Sequence, residues 1–411
     1  MAKAKQVSFP KSKIKILLLE NIHPDAVALL RSEGFIVESL SKSLGEDELC
    51  EKIKDVSILG IRSKTEVTKK VLESAPRLMA IGAFCVGVNQ IDLAECAKRG
   101  VAVFNAPFSN TRSVVELAIG EMIMLIRNVF DKSVKMHRGE WDKSAKDSYE
   151  LRGKHLGIIG YGNIGAQLSV VAESLGMKVY FYDLVEKLAL GNAIKCPSMK
   201  ELLKKSDIVT VHVDGNPKNT NLMSDKEFKM MKHGAILINL SRGFVIDFQA
   251  LVKHIQSGKI KGVAADVFPH EPRSNDEAFV CDVQNMPNVI LTPHIGGSTK
   301  EAQENIAQFV SSKLCDFVNA GNTYLSVNIP NIQLPSQGKA HRLIHIHQNM
   351  PGVLANINGI LARNRVNILG QYLKTDERIG YVITDVSRKY DDKIISEFKK
   401  VPHTIKFRVL Y

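Results

Sequence analysis

Short apolar runs alternating with helical patterns predict an α/β protein. The expected architecture is two doubly wound parallel-sheet domains followed by a smaller ferredoxin-like βαββαβ module. Three observations carry this expectation. Two separate series of strand-length apolar runs are spaced by helical stretches, as parallel strands joined by crossover helices require. A glycine-rich turn opens the second series. Beyond a polar, proline-containing stretch at 330–339, read as a linker, the pattern changes to strands of alternating polarity around two helices.

The first series places strands at 14–19, 56–61, 78–84 and 101–104, with a helix near 24–32. A long helix follows over 111–128. The polar stretch 132–152 then contains the only tryptophan, Trp141, and reads as a crossing between domains in which Trp141 anchors a buried contact between domains or subunits. The second series has six strands, at 155–160, 178–183, 207–213, 235–239, 262–266 and 289–291, with a helix at 163–176 after the first. An amphipathic helix at 299–319 is expected to return to the first unit and make it discontinuous. The predicted domains are 1–109 with 298–335, then 110–297, then 339–411, a division whose discontinuity rests mainly on resemblance to a known family. The last has strands at 341–347, 368–373, 380–386 and 404–410, with helices at 351–363 and 391–400.

At 411 residues, with 45% hydrophobic and 24% charged side chains, the chain is long enough for several cores and is neither disordered nor fibrous in composition. Its longest apolar stretch, 114–126, is interrupted by Glu116 and Glu121, short of the roughly 20 residues a membrane helix needs. No secretory signal is visible, so the cytoplasm is expected. Cys50, Cys85, Cys96, Cys196, Cys281 and Cys315 stand singly, without zinc-ligand spacing, and read as reduced packing thiols with no metal site. The net charge of +12 is uneven. Lys3, Lys5, Lys11 and Lys13 form a basic, solvated N-terminal tail, and 339–411 carries thirteen basic against six acidic residues, leaving the body of the chain nearly balanced. That distribution gives no reason to expect nucleic-acid binding.

Gly160-Tyr161-Gly162-Asn163-Ile164-Gly165 is a G-x-G-x-x-G turn between a strand and a helix, where glycines permit the tight turn, the approach of a pyrophosphate and close helix packing. Asp183 ends the following strand, where its carboxylate can accept hydrogen bonds from both ribose hydroxyls and would repel a 2′-phosphate. Together they predict NAD rather than NADP. Arg242, Glu271 and His294 each lie where a strand of the second series ends, the side of an open parallel sheet on which ligands bind. Alcohol oxidation by hydride transfer needs a base, which His294 can supply near neutrality. Glu271 can orient the imidazole, and Arg242 can pair with a substrate carboxylate while polarising the carbonyl.

These motifs, with Ala106-Pro107-Phe108-Ser109-Asn110-Thr111-Arg112-Ser113, 156–165, 238–243 and 291–298, resemble the D-isomer-specific 2-hydroxyacid dehydrogenase family over 14–411. The similarity is greatest to its short bacterial members that end in an ACT domain. The resemblance implies Arg242, Glu271 and His294 as the catalytic set, and an NAD site lined also by Asn163, Ile164, Leu240, Ser241, Asp266, Ile295, Gly296 and Gly297. It places Arg62, Ser63, Asn110, Gln303 and Lys143 near a phosphorylated 2-hydroxyacid, D-3-phosphoglycerate. The stretch from His345 to Leu354 resembles the amino-acid-binding loop of ACT domains. This implies L-serine as effector, touching His347, Asn349 and Asn367 between two domains paired edge to edge, and a homotetramer built through NAD-domain and ACT-domain interfaces.

Other readings stay open on the sequence. The substrate could be another D-2-hydroxyacid, such as glycerate, lactate or 2-hydroxyglutarate, or the chain could be a non-enzymatic NAD-sensing regulator. Arg242 and Glu271 could form a structural ion pair, Lys143 could be a solvated charge, and His347 and Asn349 could serve only a strand end and a helix cap.

Overall fold

The computed structural model describes residues 10–272, 276–335, 338, 340–387 and 392–410. Two compact units emerge, Met1–Pro107 with Gln303–Tyr411, and Phe108–Ala302.

In the first unit, β1 (Lys15–Leu18), β2 (Ile36–Ser39), β3 (Ile58–Ile61), β4 (Ala80–Ala83) and β5 (Ala102–Phe104) form a parallel sheet in the order β2-β1-β3-β4-β5. The central strands β3 and β4 are buried along their whole length, as a sheet covered on both faces requires. β2 adds a fifth strand to the four expected. It lies at the sheet edge with only Val37 of its residues buried, so its sequence carries almost no apolar pattern. One face packs on the helices Glu46–Lys52, Lys69–Glu73 and Leu93–Lys98. The other is covered by the helix Pro24–Ser32 and by Lys300–Ala320, which supplies Ile306, Val310, Leu314 and Phe317 to the same core.

The second unit holds β6 (His155–Ile159), β7 (Lys178–Tyr182), β8 (Ile194–Lys195), β9 (Ile208–Val211), β10 (Ala235–Asn239), β11 (Ile260–Ala265) and β12 (Val289–Leu291). Their order is β12-β11-β10-β9-β6-β7-β8, all parallel, with the reversal of direction at β6/β9 that defines a dinucleotide-binding sheet. The unpredicted seventh strand, β8, is two exposed residues long. Within 132–152 the chain is not wholly irregular, because a helix spans Val129–His137. Trp141 is 78% exposed, so it is not buried between domains of this chain, and of the two expected contacts only one with another subunit is left.

The C-terminal part of the first unit is a four-stranded antiparallel sheet, β14-β15-β13-β16, made by β13 (His341–Gln348), β14 (Ile368–Thr375), β15 (Ile379–Val386) and β16 (Thr404–Leu410). With the helices Val353–Arg363 and Asp392–Lys399 it has the βαββαβ order predicted. The two faces of its central strands are divided by parity. Leu343, Val382 and Val386 pack beneath the helices, while Ile344, Ile346, Tyr381 and Ile383 join the core of the N-terminal sheet.

Two expectations change here. Residues 330–334 are not a free linker: the Thr323 hydroxyl donates to the Pro330 carbonyl at 2.7 Å, and the Leu334 amide donates to Asn322 at 2.9 Å. Part of the N-terminal tail is also ordered. Lys11–Lys13 form a 3-10 turn with Lys11 paired to Glu33 at 2.7 Å, while Lys3 and Lys5 lie outside the described residues.

Candidate functional site

The glycine-rich turn has the shape a dinucleotide needs. Gly160 sits at φ +89°, and a Cβ there would run into the His212 carbonyl. A Cβ on Gly165 would strike the Gly160 carbonyl, so the helix Asn163–Ser174 can approach the turn only because this residue has no side chain. At Gly162, the residue that caps this helix, the corresponding direction is open, leaving space at a helix N-terminus suited to a pyrophosphate. Asp183 is held at the end of β7 by the Tyr161 amide at 2.8 Å and the Val185 amide at 2.9 Å. Its carboxylate is thereby oriented beside the turn. These residues fit NAD, which supplies the hydride acceptor when bound.

Arg242 follows β10 in a turn shaped by Asn239. The Asn239 side chain donates to the Arg242 carbonyl at 3.0 Å and accepts from the Ser241 amide and hydroxyl at 3.1 and 2.8 Å. Leu240 and Ser241 are buried, while the half-buried Arg242 acts electrostatically on both Glu271 and His294.

His294 has a left-handed backbone at φ +54°, an uncommon conformation for a side chain with Cβ. Asp266, at the end of β11 and 2% exposed, accounts for how the turn is held there. Its Oδ1 accepts from the Thr292 hydroxyl at 2.6 Å and the Ile295 amide at 2.8 Å, and its Oδ2 accepts from the Gly296 amide at 2.8 Å. One buried carboxylate thus ties both flanks of the histidine. Burial nevertheless raises its pKa, against the pull of those donors. Asn110 packs against Gly297 on the far side of the same loop.

His294 Nδ1 lies 2.8 Å from Glu271 Oε2, and Glu271 Oε1 accepts the Phe268 amide at 3.1 Å. The hydrogen bond to Glu271 raises the imidazole pKa above 6.5, outweighing burial. Burial works against the Glu271 charge, yet the His294 hydrogen bond wins and its pKa is lowered. With Nδ1 engaged, Nε2 is the nitrogen left to exchange a proton with a substrate. The second unit therefore brings Arg242, Glu271 and His294 together, with Asp266, Ile295 and Gly296 in the loop that carries the histidine.

The remaining candidates lie elsewhere. Arg62 and Ser63 follow β3, Gln303 is in the helix Lys300–Ala320, and Lys143 is an exposed residue of the 132–152 stretch. Sequence reasoning missed the shaping role of Asn239 and the buried Glu121. Glu121 is 2% exposed with its carboxyl pushed up to about 8, first by burial and then by the Asp266 charge. The odd placement of a carboxylate within the apolar 114–126 run was the available signal for it.

In the C-terminal sheet, His347 is 3% exposed. Its Nδ1 donates to the Gln348 carbonyl at 2.7 Å, and its Nε2 has no partner among the described residues. Gly380 faces it across the ladder, and a Cβ there would collide with the ring. Asn349 is nearby, its side chain donating to the Asp376 carbonyl at 2.8 Å. Asn367 is not with them. Ile368 pairs with Val386, which pairs with His341, so Asn367 lies at the opposite end of the sheet, about 20 Å from His347 at ~3.3 Å per residue.

No helix among the described residues is long and apolar enough to cross a membrane, and no cluster of acidic, His or Cys side chains there could hold a metal. Residues 119–296 match the family described as D-isomer specific 2-hydroxyacid dehydrogenase, NAD binding domain, and 343–406 match the AHAS small subunit-like ACT domain. The chain is 49% identical over 407 residues to D-3-phosphoglycerate dehydrogenase of Haemophilus influenzae, covering 99% of each chain. It is 50% identical over 404 residues to that of Dictyostelium discoideum, covering 98% of this chain and 99% of the relative. Among solved structures, D-lactate dehydrogenase of Aquifex aeolicus, complexed with NAD and lactic acid, superposes with a TM-score of 0.65 at 25% identity, covering 74% of this chain and 95% of that one. The chain belongs to the D-isomer-specific 2-hydroxyacid dehydrogenases, in the branch formed by the D-3-phosphoglycerate dehydrogenases.

Proposed function

We propose that the protein oxidises D-3-phosphoglycerate to 3-phosphohydroxypyruvate with NAD, the entry to L-serine synthesis, and that L-serine restrains it through the ACT domain. The observation that carries the chemistry is the Glu271–His294 pair beside Arg242, in the same unit as a turn shaped for a dinucleotide. The substrate rests on the near full-length identity to D-3-phosphoglycerate dehydrogenases.

In the oxidation, His294 Nε2 takes the proton of the C2 hydroxyl as C2 becomes a ketone, and NAD, when bound, would supply the hydride acceptor. Glu271 stabilises the imidazolium that results. Arg242 pairs with the carboxylate and with the developing carbonyl oxygen, where a forked guanidinium gains most. In reduction the same groups run in reverse, with protonated His294 as the acid. Arg62, Ser63, Asn110, Gln303 and Lys143 are the proposed contacts of the rest of the substrate.

For the effector, the separation of Asn367 from His347 and Asn349 along the sheet favours a site completed by a second copy. β14 is a sheet edge exposing Leu369, Tyr372 and Leu373, a surface suited to pairing with another strand edge. In the NAD-binding unit, Ile123, Val129, Phe130 and Met136 are also exposed and suit a second interface, which together would make a homotetramer.

The test is NADH consumption with 3-phosphohydroxypyruvate, pyruvate and 2-oxoglutarate, each with and without L-serine. Preference for the phosphorylated acid with inhibition by serine supports the reading. Preference for an unphosphorylated acid overturns the substrate, and indifference to serine overturns the effector.

A further inference from the structure

Arg62 and Ser63 occupy a turn that is closed around a single carboxylate from another strand. β1 ends at Leu18, Leu19 still bonds to the Gly60 carbonyl at 2.9 Å, and the next two residues, Glu20 and Asn21, turn sharply with φ of +65° and +51°. That turn directs the Glu20 side chain sideways to the end of β3. Glu20 is 7% exposed, and its carboxylate is the acceptor for three amides of the loop after β3. Oε1 takes the Arg62 amide at 3.2 Å and the Thr65 amide at 2.8 Å, while Oε2 takes the Lys64 amide at 2.9 Å. The other side of Arg62 is fixed as well, its carbonyl accepting from the Gln90 side chain at 2.6 Å.

The local sequence accounts for the need. Thr65 is fully buried, so the chain must turn inward two residues after Ser63, and its amides lose water without regular ladder partners. A neutral side chain offering one acceptor oxygen could satisfy part of that demand. Only a carboxylate offers two oxygens to three donors, and bonds to a charged acceptor are the stronger kind. The result is a turn whose backbone is determined while the side chains of Ser63 and Lys64 remain exposed and that of Arg62 half-exposed, at the carboxyl end of the sheet where open α/β sheets bind ligands.

We propose that Glu20 is a positioning residue for substrate binding, acting through the 62–65 turn to aim Arg62 and Ser63 at the acidic groups of the substrate. The inference rests on the proposed role of Arg62 in that reading. Glu20 itself touches no substrate, because both of its carboxylate oxygens are engaged by amides of the turn.

The experiment compares E20Q, R62A and E20Q/R62A with the parent protein in steady-state reduction of 3-phosphohydroxypyruvate, with NADH binding and thermal unfolding measured on each. Glutamine keeps the volume and one acceptor oxygen but cannot accept from all three amides. The expected result is a KM for the keto acid raised about tenfold in E20Q, with kcat within about threefold and NADH affinity unchanged. In the double variant the KM should be close to that of R62A alone, because a residue that acts through Arg62 has nothing left to act on. A lowered unfolding temperature with unchanged KM would make Glu20 a purely structural residue and overturn the proposal, as would penalties of E20Q and R62A that simply multiply. An unaltered KM in R62A would instead overturn the assignment of Arg62, and the Glu20 proposal with it. Failure of the parent protein to reduce the phosphorylated acid at all would identify the substrate reading as the faulty step.

Discussion

His294 Nδ1 and Glu271 Oε2 are 2.8 Å apart, and this contact sets the protonation behaviour of the imidazole. Because the hydrogen bond raises the His294 pKa above 6.5, the ring stays protonated to higher pH than a free histidine. Ketone reduction, which consumes that proton, should fall as pH rises through the raised value, and alcohol oxidation should rise over the same interval. In E271Q both limbs should move to lower pH, and kcat should drop about tenfold or more. Profiles of kcat against pH in the two directions check this; unmoved limbs would separate Glu271 from the histidine.

Asp266 holds Thr292, Ile295 and Gly296 around a histidine in a left-handed conformation and its charge helps raise the imidazole pKa, so its removal should disturb catalysis mainly by loosening that loop. D266A is expected to lower kcat about ten- to hundredfold, the scale on which misplacing a reacting group by about 1 Å acts. Single-turnover kinetics at saturating NADH isolate this effect from any loss of cofactor affinity.

Asp183 is held beside the glycine-rich turn by the Tyr161 and Val185 amides, and its proposed role is to accept the ribose hydroxyls. D183A should cut the preference for NAD over NADP roughly ten- to hundredfold while leaving the keto-acid KM alone. The ratio of kcat/KM for the two cofactors is the measurement.

Gly380 is the neighbour that lets the His347 ring lie flat in the ladder, since a Cβ there would strike it. G380A should displace the ring and raise the serine concentration for half-inhibition about tenfold, with uninhibited turnover intact. An unchanged inhibition curve would remove His347 from the effector site.

Tyr381 is fully buried and donates to the Gly321 carbonyl at 2.7 Å, pinning the C-terminal sheet to the end of the helix Lys300–Ala320. Y381F leaves that carbonyl buried and unpaired, which should cost about 1–3 kcal/mol in unfolding free energy. Urea denaturation measures it.

Which of these features could be read in the sequence follows from the range over which each is encoded. The glycine turn, Asp183 and the strand-end positions of Arg242, Glu271 and His294 are local patterns, and they were visible. β2 and β8 were not, because an edge strand with a single buried residue and a two-residue exposed strand leave no periodicity to detect. The pinning of 330–334 depends on Asn322 and Thr323, whose partners are set only once the chain has folded back. Glu20 and Asp266 are of the same kind, each a carboxylate at one strand end serving the loop of a neighbouring strand. The distance between Asn367 and His347 could have been found by counting register along the antiparallel order, which places a strand's first residue beside its neighbour's last.

The central claim is that His294, held by Glu271, is the proton-transfer group of a 3-phosphoglycerate dehydrogenase. It is tested most directly by stopped-flow reduction of 3-phosphohydroxypyruvate by NADH with the parent protein and H294A, alongside NADH binding by fluorescence. The account predicts loss of at least about a hundredfold in the hydride-transfer rate of H294A with NADH bound as before. Retention of the parent rate in H294A would contradict it.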